Sequence, residues 1–226
     1  MVTKALGDWT WPELAERSIV LVVPIGSLEQ HGPHLPLDTD TRIAVAIAEQ
    51  AADRRDDLLV APALAIGASG EHAGFPGTLS IGSDALRTVV VELVRSADAF
   101  RGVILVNGHG GNHDAMHAAT TQLRAERRNV VTWSPSVPGG DAHAGHTETS
   151  IMLAIDPGCV RVDRIQTGTT EPLREILDAM RAGGVRSVSP TGVLGDPTTA
   201  NATDGARILT ALVDHLGTTI DEVFPT

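Results

Sequence analysis

The sequence predicts an α/β fold with a mainly parallel sheet. Short β-branched runs alternate with longer stretches of helical period, and a hydrophobic content of 42% over 226 residues is enough for one substantial core. The run Ile19-Val20-Leu21-Val22-Val23 begins the first strand, read over 19–24, and three more strands are read over 58–62, 103–106 and 130–133. Helices are expected over 41–52, 83–100 and 113–126, with a fourth starting near His146 and a last one over 204–221. The helix over 83–100 is the clearest, because Leu86, Val89, Val90, Leu93, Val94, Ala97 and Phe100 recur at three- and four-residue steps and make one apolar stripe. The segments 134–142 and 183–200 are rich in Gly, Pro, Ser and Thr without a sustained period, and are expected as loops that could cover a site. No internal repeat divides the sequence, so a single domain over 1–226 is expected.

Composition narrows the function classes. Acidic residues outnumber basic ones 28 to 17, for a formal net charge of -11, and the arginines are scattered. Phosphate neutralisation needs a clustered basic footprint, so a nucleic-acid partner is not expected. Cys159 is the only cysteine, which rules out an intrachain disulfide and suits a reducing compartment. Residues 1–18 carry Asp8, Trp9, Trp11, Glu13 and Glu16 where a signal peptide would have a basic patch and an apolar run. The longest apolar run, 19–25, is far below a membrane span, and a cytoplasmic location with no membrane partner is expected.

Three clusters carry chemistry, and each follows or faces a strand exit, where open α/β sheets bind ligands. After the first strand, Glu29 and His31 stand two apart in an extended segment and can face a common ion. Asp40 follows nine residues after His31, at the start of a helix, where the plain alternative is an N-cap. His34 is expected to be structural or exposed and not a ligand. After the third strand comes Asn107-Gly108-His109-Gly110-Gly111-Asn112-His113, a glycine-dense turn that lacks the lysine of a phosphate loop and the spacing of a dinucleotide fingerprint. The third cluster, Asp141-Ala142-His143-Ala144-Gly145-His146-Thr147-Glu148, sets His143 in a loop and Glu148 in the first turn of a helix, where a dipole partner is the ordinary role of a glutamate.

Any one cluster is weak, but the combination of imidazoles and carboxylates suits divalent zinc, iron or manganese, with a carboxylate free to bridge two ions. Two such ions fit amide hydrolysis, which needs a Lewis acid on the carbonyl and a nucleophilic water at neutral pH. The amine leaving group also needs a proton. His143 is a fitting donor or shuttle, since an imidazole titrates near neutrality.

These residues resemble the creatininase family of metal-dependent amidohydrolases. The resemblance covers nearly the whole chain: Gly26-Ser27, Glu29-Gln30-His31-Gly32-Pro33-His34-Leu35-Pro36, Thr39-Asp40, His72 with Phe75-Pro76-Gly77-Thr78, Asn107-Gly108-His109-Gly110-Gly111-Asn112, His143-Ala144-Gly145, Glu148-Thr149-Ser150, and Gly192 with Gly195-Asp196-Pro197. It implies a three-layer α/β/α sandwich, a dinuclear metal site and a homo-oligomer. It also implies that Glu29 and His109 hold one ion and His31 the other, that Asp40 bridges, that Glu148 completes the second site or acts on the water, and that His143 is the catalytic histidine.

One departure stands out: creatininases proper carry a metal-binding glutamate two residues after the loop histidine, and here that position is Gly111, with Glu148 expected as the replacement ligand. Within the family the chain is most similar to the peptidase branch of mycofactocin biosynthesis. That resemblance implies cleavage of a modified precursor peptide to release its C-terminal Val-Tyr-derived unit. The other readings are a small-molecule amidohydrolase of the same family, acting on a formamide or a cyclic amide, and a metal-binding scaffold without catalysis.

Overall fold

The computed structural model describes residues 3–225; Met1, Val2 and Thr226 of the expected 1–226 domain lie outside the described residues. Four strands, β1 (Val20–Ile25), β2 (Leu58–Val60), β3 (Gly102–Asn107) and β4 (Val130–Trp133), form one sheet in the order β2-β1-β3-β4, with every pairing parallel. The helices are α1 (Trp11–Leu14), α2 (Thr39–Asp53), α3 (Ser83–Arg95), α4 (His113–Ala125), α5 (His146–Ile155), α6 (Leu173–Gly183), α7 (Val185–Val188) and α8 (Ala202–Val223).

Successive strand side chains point to opposite faces, and both faces of this sheet are covered. Val20, Val22, Ile104 and Val106 pack with Ile43 and Ile47 of α2, Ile151 and Met152 of α5, and Leu212 and Leu216 of α8. Leu21, Val23, Ile25, Val103 and Leu105 pack on the other side with Leu86, Val90 and Val94 of α3 and Met116, Ala119 and Leu123 of α4. The result is the expected α/β/α sandwich. Trp133 and Met152 belong to the core.

Pro24 stands in a central strand, where a missing N–H would ordinarily break the ladder. Its carbonyl accepts from Leu64 N at 3.0 Å, so the side on which its N–H is missing faces the chain beyond the end of β2, past the last register pair of Val22 with Val60.

The predicted elements are all present, with differences at their ends. The helix expected over 83–100 stops at Arg95; Ala97 and Phe100 still join the same core, but from turns closed by Ala97 N to Val94 O and Phe100 N to Ala97 O. Val89 of the expected stripe is exposed, while the rest of the stripe marks burial, which outlasts the helix. The segment 183–200 contains α7, and α6 before it was not anticipated. Among the described residues, no helix is long and apolar enough to cross a membrane.

Candidate metal centre

β1 leads through α2 to β2 on one side, while its other neighbour is β3, so the chain leaves the carboxyl ends of β1 and β3 in divergent directions. Such a switch point opens the crevice of an α/β sheet. Ile25 and Asn107 are register partners, so the loops that carry Glu29 and His109 start side by side.

The loop after β1 is held by backbone bonds, Glu29 N to Leu37 O at 2.9 Å and Gly26 N to Leu64 O at 3.0 Å. Asp38, and not Asp40, occupies the N-cap of α2. Asp40 lies inside the first turn and is buried; its Oδ2 accepts from Ser27 Oγ at 2.7 Å, and its Oδ1 lies 3.0 Å from His31 Nε2. His31 Nδ1 donates to the Glu29 carbonyl at 3.0 Å, which leaves Nε2 to face the site.

The turn after β3 is shaped by two asparagines. Asn107 Oδ1 accepts from His109 N at 3.2 Å, and Asn112 Nδ2 donates to the Gly26 carbonyl at 3.0 Å, tying this turn to the β1 loop. A side chain at Gly108 would put its Cβ 2.5 Å from the Asp40 carbonyl oxygen, so only glycine lets the two segments approach. His109 presents Nδ1 to Asp40 Oδ2 at 3.2 Å and Nε2 to Glu29 Oε2 at 3.1 Å.

His143 arrives from the far loop, pinned by Leu194 N to the His143 carbonyl at 2.9 Å. Its Nε2 lies 2.8 Å from the Gln30 carbonyl, which assigns the proton to Nε2 and turns the bare Nδ1 toward Glu29 Oε1, 3.8 Å away. In that tautomer the 3.0 Å approach of Gln30 Nε2 to the same nitrogen brings two donors together and is no bond; the Gln30 amide donates instead to His72 Nδ1 at 2.9 Å and to the Gly192 carbonyl at 3.1 Å. Ala144 follows with φ at 51°, a left-handed conformation uncommon for a residue with a side chain, and its N–H donates to Glu148 Oε2 at 2.6 Å. Glu148 sits in the first turn of α5, 4.0 Å from His31 Nε2.

All six residues singled out from the sequence therefore converge. They form three overlapping groups, Glu29–His31–His143, Glu29–Asp40–His109 and His31–Asp40–Glu148, in which ligand-capable atoms lie within 4.8 Å of one another. His34 is buried beside the site and bonds Thr149 Oγ1 through Nε2 at 2.8 Å, the structural one of the two placements expected for it. Sequence reasoning assigned no role to Gln30, Glu71 or His72. Gln30 and His72 stand inside the motifs already quoted; Glu71 precedes His72 and reaches His109 Nε2 at 3.3 Å.

The electrostatics call for positive charge. Burial opposes a proton on His31, yet Asp40 against its Nε2, with Glu148 and Glu29 behind, raises its pKa to about 9. Burial works against His109 as well, and Asp40, Glu29 and Glu71 overcome it in the same direction. Asp40 is held well below the usual carboxylate range: burial would raise it, but the two imidazoles prevail. Burial first, then Asp40 and Glu29, lifts Glu148 to about 7 against the pull of His31. Burial, followed by His31 and His72, keeps His143 neutral.

Glu29 supplies the fit test for a cation. It is fully buried, and neither carboxylate oxygen has a hydrogen-bond partner, since the approaches of His72 and His109 lack hydrogen-bond geometry. An acceptor-only group so placed costs several kcal/mol unless a cation compensates it, on the order of the penalty for an unpaired buried charge. The donor set of imidazoles and carboxylates is one that divalent zinc, manganese or iron accepts.

An open parallel sheet with such a cluster at its switch point defines an α/β protein with a candidate metal centre. The family model described as "Creatinine amidohydrolase" matches residues 7–220. The chain is 53% identical over 218 residues to a mycofactocin precursor peptide peptidase of Mycolicibacterium smegmatis, covering 92% of this chain and 87% of that one. It is 51% identical over 224 residues to the protein of that name from Mycobacterium tuberculosis, with 94% and 89% covered. A creatinine amidohydrolase of Pseudomonas putida is 31% identical over 258 residues, 97% of each chain. Among solved structures, a mutant creatininase superposes with a TM-score of 0.86 at 29% identity, covering 99% of this chain and 100% of that chain. One described as "Creatininase Mn" does so at 0.82 and 28%, covering 99% and 100%, and a mutant of "Zn-Zn type" at 0.83 and 28%, covering all of both chains. The chain belongs to the creatininase family of amidohydrolases.

Proposed function

We propose that this family member is a metal-dependent peptidase that hydrolyses a C–N bond in a modified precursor peptide and releases a C-terminal Val-Tyr-derived unit. The observation that carries the reading is the convergence of Glu29, His31, Asp40, His109 and Glu148 around the unpartnered Glu29 carboxylate. The half of the chain's relatives' names that bears on substrate, peptidase at 51–53% identity, supports a peptide over creatinine.

Two divalent ions, iron or zinc with manganese as a third option, are assigned to two halves: Glu29, Asp40 and His109 for one, His31, Asp40 and Glu148 for the other. Bound there, such ions would polarise the scissile carbonyl and acidify a water molecule. The chain's own part is positional and protonic. Asp40 joins the halves through its two oxygens, fixed by Ser27. His143, neutral and with Nδ1 bare, is the group fit to accept a proton from the attacking water and pass it to the departing amine. Glu148, raised to about 7, can hold or release a proton in the same range when no ion occupies its half. A cavity of 410 Å³ lined by His109, Glu148, Ser134, Val137 and Asp141 gives the peptide end a way in beneath the 134–142 segment. One domain over 1–226, a cytoplasmic location and assembly as a homo-oligomer complete the reading.

The test is incubation of iron- or zinc-loaded protein with the modified precursor peptide, with the released unit followed by mass spectrometry. Release is expected, and it should vanish in His143→Ala with metal content intact. A preference for a formamide or a cyclic amide would move the chain to the small-molecule branch of the family, and no turnover of any amide would leave a metal-binding scaffold.

A further inference from the structure

We propose that Glu71 is a cation-holding carboxylate of the Glu29–His109 half of the centre, and that Gly111 is the residue that admits it. The inference rests on the two-ion reading above.

Glu71 lies in a short turn, Gly70–His72, that no other part of the mechanism uses. Its Oε1 stands 3.3 Å from His109 Nε2, and Glu29 Oε2 stands 3.1 Å from that same nitrogen, with the Ala68 carbonyl oxygen 3.2 Å away. One ring nitrogen can donate a single proton, so at most one of these three oxygens is satisfied by it. Two carboxylates thus crowd one ring nitrogen that can satisfy neither fully, an arrangement that a cation beside them would relieve. Ligands at about 2.0–2.2 Å from a divalent ion are themselves about 3.0–3.4 Å apart in tetrahedral or octahedral geometry, and Glu29 Oε2 and Glu71 Oε1 each stand at that spacing from His109 Nε2.

Gly111 explains how Glu71 gets there. A Cβ on residue 111 would fall 2.2 Å from Glu71 Oε1, 2.4 Å from His109 Nε2 and 2.5 Å from the Ala68 carbonyl oxygen. Any side chain at 111 would therefore compete with the Glu71 carboxylate for one place. The turn is supported from outside, where a Cβ on Gly184, between α6 and α7, would come 2.8 Å from the Glu71 carbonyl oxygen.

The experiment compares metal content of the full chain, by elemental analysis after dialysis against zinc or manganese and by titration against a chelating indicator. Wild type is expected to hold two ions per chain. Glu71→Gln should weaken one of them by about tenfold or more, the scale of losing a carboxylate that orients or binds at such a site, and leave the other at wild-type affinity. Gly111→Ala should weaken the same ion by displacing both Glu71 and His109. The double variant Glu71→Gly with Gly111→Glu, which returns a carboxylate to the same place from the neighbouring backbone, should restore it. Circular dichroism of the metal-free proteins guards against misfolding. Wild-type affinity for both ions in Glu71→Gln overturns the inference and leaves the two-ion reading standing; a wild-type chain that takes up no ion overturns both.

Discussion

The strands β1 and β3 and the helix α6 are both apolar in sequence pattern, yet they occupy opposite ends of the packing range. Every residue of β1 and β3 is buried, whereas α6 has no buried residue although Leu173, Ile176, Leu177 and Met180 recur at the spacing of one helical face. The pair of strands carries the loops that bring Glu29, His31, Asp40 and His109 together. α6 reaches the site from behind, against the turn that carries Glu71, with Gly184 just past its end packed on the Glu71 carbonyl. Side chains that must hold a fixed geometry hang from the part of the chain that tertiary packing fixes most firmly, and the weakly covered part supports from outside.

The largest effect that would test this contrast is at the centre itself. Asp40→Asn removes a charge shared by both halves, and activity of the metal-loaded enzyme is expected to fall on the order of a thousandfold, about 4 kcal/mol of barrier, with less bound metal by elemental analysis. Activity within a few-fold of wild type would mean that Asp40 does not join the halves.

Next come the two regions compared directly. Leu105→Ala, in β3, should cost about 2–5 kcal/mol in urea unfolding, while Leu177→Ala, in α6, should cost less than about 1 kcal/mol. Equal losses would show that α6 is covered in solution, for instance by a second copy of the chain.

The smallest expected effect belongs to His34, under the site and against α5. Burial, then the charge of His31, lowers its pKa to about 4, from an ordinary 6.5. Between those values the unfolded chain binds the proton and the folded chain does not. The stability this group contributes is complete above about pH 6.5 and is lost as pH falls toward 4, about 2 kcal/mol of it between pH 7 and pH 5. His34→Gln should show a correspondingly flatter dependence in denaturant titrations at the two pH values, and an unchanged slope would remove His34 as the cause.

Much of the layout was legible in the sequence because strand runs such as Val20–Ile25 and the exits behind them have strong local signatures. The site was legible because its residues fall in loops dense with Gly, His and carboxylates. Other features depend on tertiary contacts that no local pattern records. The stripe continued through Ala97 and Phe100 after the helix had ended, since burial and helicity are separable there. α6 has no counterpart among the expected elements: its short amphipathic run lies between Pro172 and Gly184 and buries none of its residues, so tertiary packing leaves no strong local signature there. Glu71 sits in a three-residue turn without period; the one clue was a missing side chain at Gly111 beside a histidine expected to bind metal.

The register of β1 against β3 has a geometric corollary. Adjacent strands run about 4.8 Å apart, and paired catalytic cations sit about 3.5–4 Å apart. The two lengths are commensurate, so side chains on loops leaving neighbouring strands could grip the proposed pair of ions from short tethers. The outer pair, β2 and β4, lies three such intervals apart, too wide a gauge for the same grip.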